Sequence, residues 1–267
     1  HDLVRRELNY GRVVDRFTSS DSPAALFGPD DRHHDAQLRG HEIAYTLRPG
    51  EKAIFRWDQI GKYCAENAER AEEPNYFGNS KFVYQPRLTL EAVQREAASW
   101  KNIAEGKSVG SGDCLIGPTD GAYLVYPICL PYPACGGNVR ATCNGQSSGN
   151  KFSIGLSLNG KDWVELWAQQ GAGTHQAEVA LDAALHVHAK PAKYRYFVRI
   201  AFASGDGQPT ASLNSLAIET DVLAAPVSLP RLACGQNRVV YTDATEQEHA
   251  IRVTHEWKEC STVQPLP

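Results

Sequence analysis

Residues 151–168 read KFSIGLSLNGKDWVELWA, and their alternation decides the fold. Phe152, Ile154, Leu156 and Leu158 share one side of an extended chain, with Lys151, Ser153, Gly155 and Ser157 on the other, because successive strand side chains point to opposite faces. Asn159-Gly160 then interrupts the run before DWVELWA resumes it. Asparagine and glycine accept the positive φ of a tight turn, so the stretch predicts an antiparallel hairpin with one face in a core.

The same pattern extends in both directions. AYLVYPICL at 122–130, GNVRATC at 137–143, HQAEVAL at 175–181, YRYFVRIAF at 194–202 and SLAIET at 215–220 are separated by glycine- or proline-bearing breaks. With the hairpin this makes seven strands, which predicts a mainly β chain built on a jelly-roll-type sandwich. Upstream, HEIAYTL and KAIFRW flank Arg48-Pro49-Gly50-Glu51, whose Pro-Gly centre suits a type II turn and predicts another hairpin. SKFVYQP at 80–86 reads as a strand. Leu90, Val93, Ala97, Trp100 and Ala104 recur at three- and four-residue spacing, predicting a short helix over 89–104 that leaves Glu91, Arg95, Glu96 and Lys101 to water; two short strands are the rival reading of that segment. DVLAAPVSLPRL at 221–232 is a proline-punctuated connector, and NRVVYTD with HAIRVTHEW forms a terminal strand pair. The expected organisation is an irregular, hairpin-containing region over 1–106, the sandwich over 107–222, and a linker with the terminal pair over 223–267.

Composition narrows the partners. The chain has 267 residues, 42% hydrophobic and 22% charged, with a formal net charge of -4. No basic stripe capable of neutralising several phosphates is evident, which argues against nucleic acid and toward a glycan or other neutral small ligand. No apolar run reaches the roughly 18 residues of a membrane helix. The start at His1 reads as processing, with an upstream domain of the same precursor as a candidate partner. Cys129, Cys135 and Cys143, crowded together among seven cysteines, predict at least one disulfide and an extracytoplasmic setting.

A sugar site in a sandwich needs aromatic faces for stacking and polar side chains for hydroxyls. Trp163, Glu165 and Trp167 alternate with Val164 and Leu166, so the two tryptophans and the carboxylate share a face, which is the ligand face if the aliphatic pair is core. The opposite assignment puts the tryptophans in the core. Tyr123, Tyr126 and Tyr132, near Pro131 and Pro133, are a second aromatic candidate patch, with buried hydrogen-bonded tyrosines as the alternative. Turn residues Asp113, Asp120 and Asn138 near the sandwich start are the candidate ligands of a structural calcium ion, the one cofactor this reading calls for. A glycosidase would need two carboxylates about 5 to 10 Å apart, and among Asp162, Glu165, Glu219, Asp221, Asp243 and Glu256 no spacing selects a pair. A polysaccharide lyase would need a tyrosine or histidine base beside a cation, for which Tyr194, Arg195, Tyr196 and Arg199 offer the residue types. His186 and His188 share a strand face as a metal pair would, but read as loop histidines.

Ser157, Gly160 and Trp163 in the hairpin, followed by Tyr196, Val198, Arg199 and Ile200, resemble the corresponding strands of galactose-binding-like or discoidin-like jelly rolls, over roughly residues 117–222. With LRPGEKAIFRWD, YFGNSKFVYQP and LPRLACGQNRVVY, the whole chain also resembles the carboxy-terminal part of uncharacterised bacterial secreted proteins that carry a transglutaminase-like domain upstream. Neither resemblance brings an active site with it. The expected function is a secreted or envelope glycan-binding or accessory module without its own catalytic centre. A glycan-degrading lyase or hydrolase, and a structural or assembly module, are the alternatives.

Overall fold

The computed structural model describes residues 45–55, 62–64, 76–78, 80–108, 112–117, 121–185, 193–203, 211–224, 238, 240 and 250–255. Residues 1–229 make one unit and residues 230–267 a second.

The first unit is two antiparallel sheets. One has five strands in the order β11 (Val164–Gln170), β10 (Lys151–Ser157), β13 (Arg195–Ala203), β8 (Ala122–Cys129), β5 (Ser99–Lys101). The other is organised on β14 (Ala211–Val222), which pairs along one edge with β9 (Ala134–Gly145), itself paired with β12 (Gly173–Ala180). The opposite edge of β14 is shared: β7 (Gly112–Gly117) takes Ala211–Leu213 and β4 (Ser80–Tyr84) takes Ile218–Val222. The outer strands β6 (Ala104–Ser108) and β1 (Glu51–Phe55) complete this seven-stranded sheet. A separate pair joins β2 (Lys62–Cys64) to β3 (Tyr76–Gly78).

The two inner faces form one core. Leu124, Tyr126, Ile128, Phe152, Ile154, Leu156, Val198 and Ile200 from the five-stranded sheet meet Phe82, Tyr84, Leu115, Val139, Leu213 and Ile218 from the seven-stranded one. Tyr196 crosses the interior, its hydroxyl 2.7 Å from Thr220 Oγ1. Such a bond is favoured because a buried hydroxyl without a partner is costly. The mainly β sandwich expected from the alternation is therefore the observed fold class, and each of the seven expected strands is present.

Five local expectations are corrected. The helix is shorter: α1 (Leu90–Glu96) starts at Thr89, whose Oγ1 accepts from Ala92 N at 3.3 Å, and stops at Ala97, which is extended. Ala98 N instead donates to Val125 O at 2.8 Å, and β5 pairs with β8, so Trp100 sits on an edge strand. The open edge of β8 offers the backbone of 98–101 a full ladder, which overrides the side-chain periodicity. Glu96 is buried rather than solvated, accepting from Tyr84 Oη at 2.6 Å and from Arg95 at 2.6 Å. The turn at Arg48–Glu51 forms, with Gly50 at φ 78°, but residues 45–48 carry no strand and β1 pairs with β4. The 151–170 hairpin closes through residues 158–163 rather than a tight turn: Ser157 Oγ accepts from Asn159 N and Gly160 N, and Asn159 Oδ1 from Lys161 N and Asp162 N. In the second unit, residues 250–255 are irregular and exposed, not a strand; the rest of the expected terminal pair lies mostly outside the described residues.

No disulfide joins Cys129, Cys135 and Cys143, the crowded trio on which the expectation of a disulfide among the seven cysteines rested; Cys234 and Cys260 lie outside the described residues. Cys135 and Cys143 lie eight positions apart on β9, about 26 Å at strand rise, and Cys129 is on the other sheet. Cys114, Cys129 and Cys143 are free thiols. Burial pushes the Cys143 thiol up to about 12 and raises that of Cys114. Alkylation of native protein at about pH 8 should therefore label Cys129 and spare Cys114 and Cys143, since the thiolate is the reactive form. A mass spectrum with a peptide linking Cys129 to Cys135 or Cys143 would contradict this arrangement.

On the outside of the seven-stranded sheet, cations and carboxylates alternate across strands. Lys81 Nζ meets Glu219 at 2.8 Å, and Arg140 bridges Glu219 at 2.6 Å and Glu178 at 3.3 Å. Hydrogen bonding from Lys81 and the charges of Lys81 and Arg140 hold the Glu219 carboxyl below its usual range against the opposing effect of burial. A depressed carboxyl contributes stability above its unfolded value and loses it as pH falls through the folded one. In urea unfolding, Glu219→Gln should be less stable than the parent at neutral pH, and the gap should close in acid.

Candidate binding groove on the five-stranded sheet

The outward face of the five-stranded sheet is organised in rows that follow from its register. Ala168, Ser153, Ala201 and Tyr123 stand side by side across four strands, with Lys101 beyond. One neighbouring row holds Glu165, Gly155 and Arg199; the row on the other flank holds Gln170, Lys151 and Ala203. Small side chains in the middle row and long ones on either side make a trough. It appears as an open depression of about 780 Å³ whose lining includes Tyr123, Lys151, Ser153, Glu165, Arg199 and Ala201. Its floor from Ala168 to Tyr123 spans three strand spacings, about 14 Å, which accommodates a short oligosaccharide.

A β-bulge decides which aromatic groups reach this face. β11 pairs Glu165 with Gly155 and Trp167 with Ile154, leaving Leu166 as the extra residue. A bulge shifts the alternation by one, so side chains beyond it exchange faces. Glu165 stays outside, whereas Trp167 turns inward and packs with Leu166 against the core. The expected outward trio of Trp163, Glu165 and Trp167 is thus broken: Trp163 and Glu165 share the outer face and Trp167 does not.

Trp163 lies against Gly155 on the sheet. A Cβ on Gly155 would come within 3.6 Å of its ring and 3.3 Å of Val164 O, so this position favours a residue without a side chain. The Arg199 guanidinium stacks over the Trp163 ring at 4.6 Å, a cation–π contact that holds its planar head at the groove wall. Tyr123 is half-buried at the end of the floor. Tyr126 is 0% exposed, in edge contact with Tyr84 at 5.4 Å. Facing the core, it belongs to the packing and not to the ligand surface, and its burial raises its hydroxyl above the usual range.

The calcium candidates are not brought together. Asn138 on β9 pairs with Glu219 of β14, while Asp113 lies on β7, along the opposite edge of β14, in an ion pair with Lys107. Asp120 lies outside the described residues. Among the described residues no group of three or more His, Cys, Asp or Glu is placed to hold a metal ion. His186 and His188 also lie outside them, as do Asp243 and Glu256. Of the other carboxylates considered for hydrolysis, Asp162 accepts from Asn159 at 2.7 Å in the hairpin turn, Glu219 is held by Lys81 and Arg140, and Asp221 is buried; Glu165 alone lines the groove. Tyr196, a candidate lyase base, is fully buried on Thr220.

The sequence offered Arg199 as the cation of a lyase site rather than as the wall of a groove, and did not single out Ser153, Ala201 or Lys151. Alternation puts Arg199 and Ala201 opposite Val198 and Ile200, but only pairing with Ser153 and Tyr123 makes a trough of them.

Fold and groove together define a β-sandwich with an open trough on the outer face of one sheet. No family model and no curated protein matches the chain, and the resemblance to transglutaminase-domain proteins finds no support. Solved structures similar to it include the carboxy-terminal CBM6 of LamC, a marine laminarinase from Zobellia galactanivorans, at 13% identity over 51% of this chain and 98% of that one, with a TM-score of 0.34. A family 6 carbohydrate-binding module from Clostridium cellulolyticum in complex with xylose is 18% identical over 46% and 90%, TM-score 0.32. A CBM36 module in complex with calcium and xylotriose is 14% identical over 51% and 96%, TM-score 0.31. At such scores the chemistry of the groove is read from its own side chains.

The bulge makes a measurable difference between the two tryptophans. Trp167→Ala should cost about 2 kcal/mol or more in urea unfolding, approaching the core-truncation range, and Trp163→Ala about 0.5–1 kcal/mol, the size of a surface cation–π contact. The reverse order would mean that Trp167, not Trp163, faces outward.

Proposed function

We propose that this chain is a glycan-binding or accessory module that holds an oligosaccharide in the trough over Ser153, Ala201 and Tyr123 without cleaving it. The observation that carries this reading is the row of small side chains across the sheet, ending at the aromatic Tyr123 and walled by Arg199, Glu165 and Lys151. An open trough suits an extended chain of sugar rings: a ring's apolar face can rest on Tyr123 while charged and amide groups reach its hydroxyls. Among the described residues Glu165 is the one carboxylate in the groove, which supports binding rather than the two-carboxylate chemistry of a hydrolase. An extracytoplasmic setting, where polysaccharide is met, and a further domain of the same precursor are part of this proposal. Among the described residues no helix is long and apolar enough to cross a membrane.

A glycan array probed with the whole chain, followed by titration calorimetry on the retained oligosaccharide, tests the reading. Ala201→Trp, which fills the trough from an outward position, should abolish binding at an unchanged melting temperature. Tyr123→Ala should weaken binding by about 1–3 kcal/mol, by analogy with other stacking contacts. Absence of any retained glycan, or binding indifferent to the filled trough, would sink the proposal; release of reducing ends or unsaturated uronate would replace it with an enzyme.

A further inference from the structure

The two outer faces of the sandwich treat their cations differently. On the seven-stranded sheet, Lys81 and Arg140 are held by Glu219 and Glu178. On the five-stranded sheet, register places Lys101, Lys151, Arg195 and Arg199 outward, against one carboxylate, Glu165, among the described residues of its strands. Among the described residues none of these four cations has an ion-pair partner; Arg195 and Arg199 instead rest on the rings of Phe197, at 4.8 Å, and Trp163. An excess of three positive charges among the described residues of this face, on a chain of net charge -4, is a local concentration of field that charge composition alone does not show. Stacking on an aromatic ring fixes a guanidinium in place while leaving its N–H fork free to donate, the geometry that meets a carboxylate or sulfate with two parallel bonds.

We propose that the ligand of this trough is an acidic polysaccharide, whose carboxylate or sulfate groups are read by Arg199 and Lys151. This rests on the glycan-binding reading and adds the charge of the sugar to it. Lys151 and the position of Arg199's neighbour Gly155 are four residues apart on β10, about 13 Å along the strand. Because Arg199 is held on Trp163, at the Gly155 end of the trough, the two cations engage separate acidic groups of one chain, and the ligand carries its charges repeatedly. Glu165 stands on the far side of Gly155 from Arg199, where it accepts from sugar hydroxyls and penalises an acidic group placed out of register.

The test uses the full chain and calorimetric titration with four probes: an oligogalacturonate, the same oligomer with its carboxyl groups reduced to alcohols, a sulfated galactan oligomer, and a single-stranded DNA oligonucleotide of comparable charge. The oligogalacturonate or the sulfated oligomer should bind at least about tenfold more tightly than the reduced one, a charge-assisted hydrogen bond being stronger than a neutral one, and whichever binds names the acidic group. Affinity should fall as salt is raised. Arg199→Gln and Lys151→Gln should each remove most of that preference, and Lys81→Gln, on the other sheet, should leave it intact. Equal binding of the reduced and acidic oligomers would overturn the acidic-ligand inference and leave the glycan-binding reading standing. Binding of none of the three sugars would overturn the acidic-ligand inference, the glycan array remaining the separate test of the glycan-binding reading, and DNA bound as tightly as the acidic sugars would overturn it by showing that the face reads charge without sugar.

Discussion

The pairing of β14 on both its edges is the constraint from which the rest of the molecule hangs. Its full length, Ala211 to Val222, lies against β9, and its other edge is divided between β7 and β4. A strand near the end of the first unit thereby ties together segments that are distant in the chain. Where β14 and β9 meet, their backbones come close: a Cβ on Gly137, at φ 157°, would fall 2.2 Å from Glu219 O. Closing loops of this length costs chain entropy before any contact repays it, and the return is a hydrogen-bonded ladder with a shared apolar face.

Opposite this sheet, the five-stranded one needs only its inner face to hold the fold. Phe152, Ile154, Leu156, Val198, Ile200 and Phe202 satisfy the core, and the outward positions between them are released from packing. Release is what permits Ser153, Ala201 and Ala203 to be small and Lys151 to stand without an ion-pair partner among the described residues. Trp163 and Arg199 make the trough wall rigid through each other rather than through the core, so the site is supported by its own stacking.

Polar groups inside the sandwich are placed where they can be satisfied. Tyr84 donates to the buried carboxylate of Glu96, and the Arg48 guanidinium sits 3.7 Å over its ring while donating to Pro127 O at 2.8 Å. Through Tyr84 and Arg48 the 48–51 turn, α1 and both sheets meet at one end of the core. The hydroxyl of Tyr84 is raised well above its usual range by burial and by its carboxylate partner, which keeps it a donor.

The sequence by itself determined the elements whose chemistry is local. Two-residue alternation with glycine and proline breaks marked the seven sandwich strands, since a strand with one buried face must show that period wherever it folds. The Pro49-Gly50 turn was legible for the same reason: its positive φ is a property of the residue. What only the tertiary structure decided is everything that depends on a partner strand. The bulge at Leu166 sends Trp167 inward, a second register shift in β14 between Leu213 and Ser215 moves the buried parity from Ala211 and Leu213 to Leu216 and Ile218, and the edge of β8 turns Ser99–Lys101 from helix to strand. The trough itself belongs to this second group, because Ala168, Ser153, Ala201 and Tyr123 are neighbours only across hydrogen bonds between strands, three of them far apart in the chain, and no period along a single strand records which residue will stand beside it.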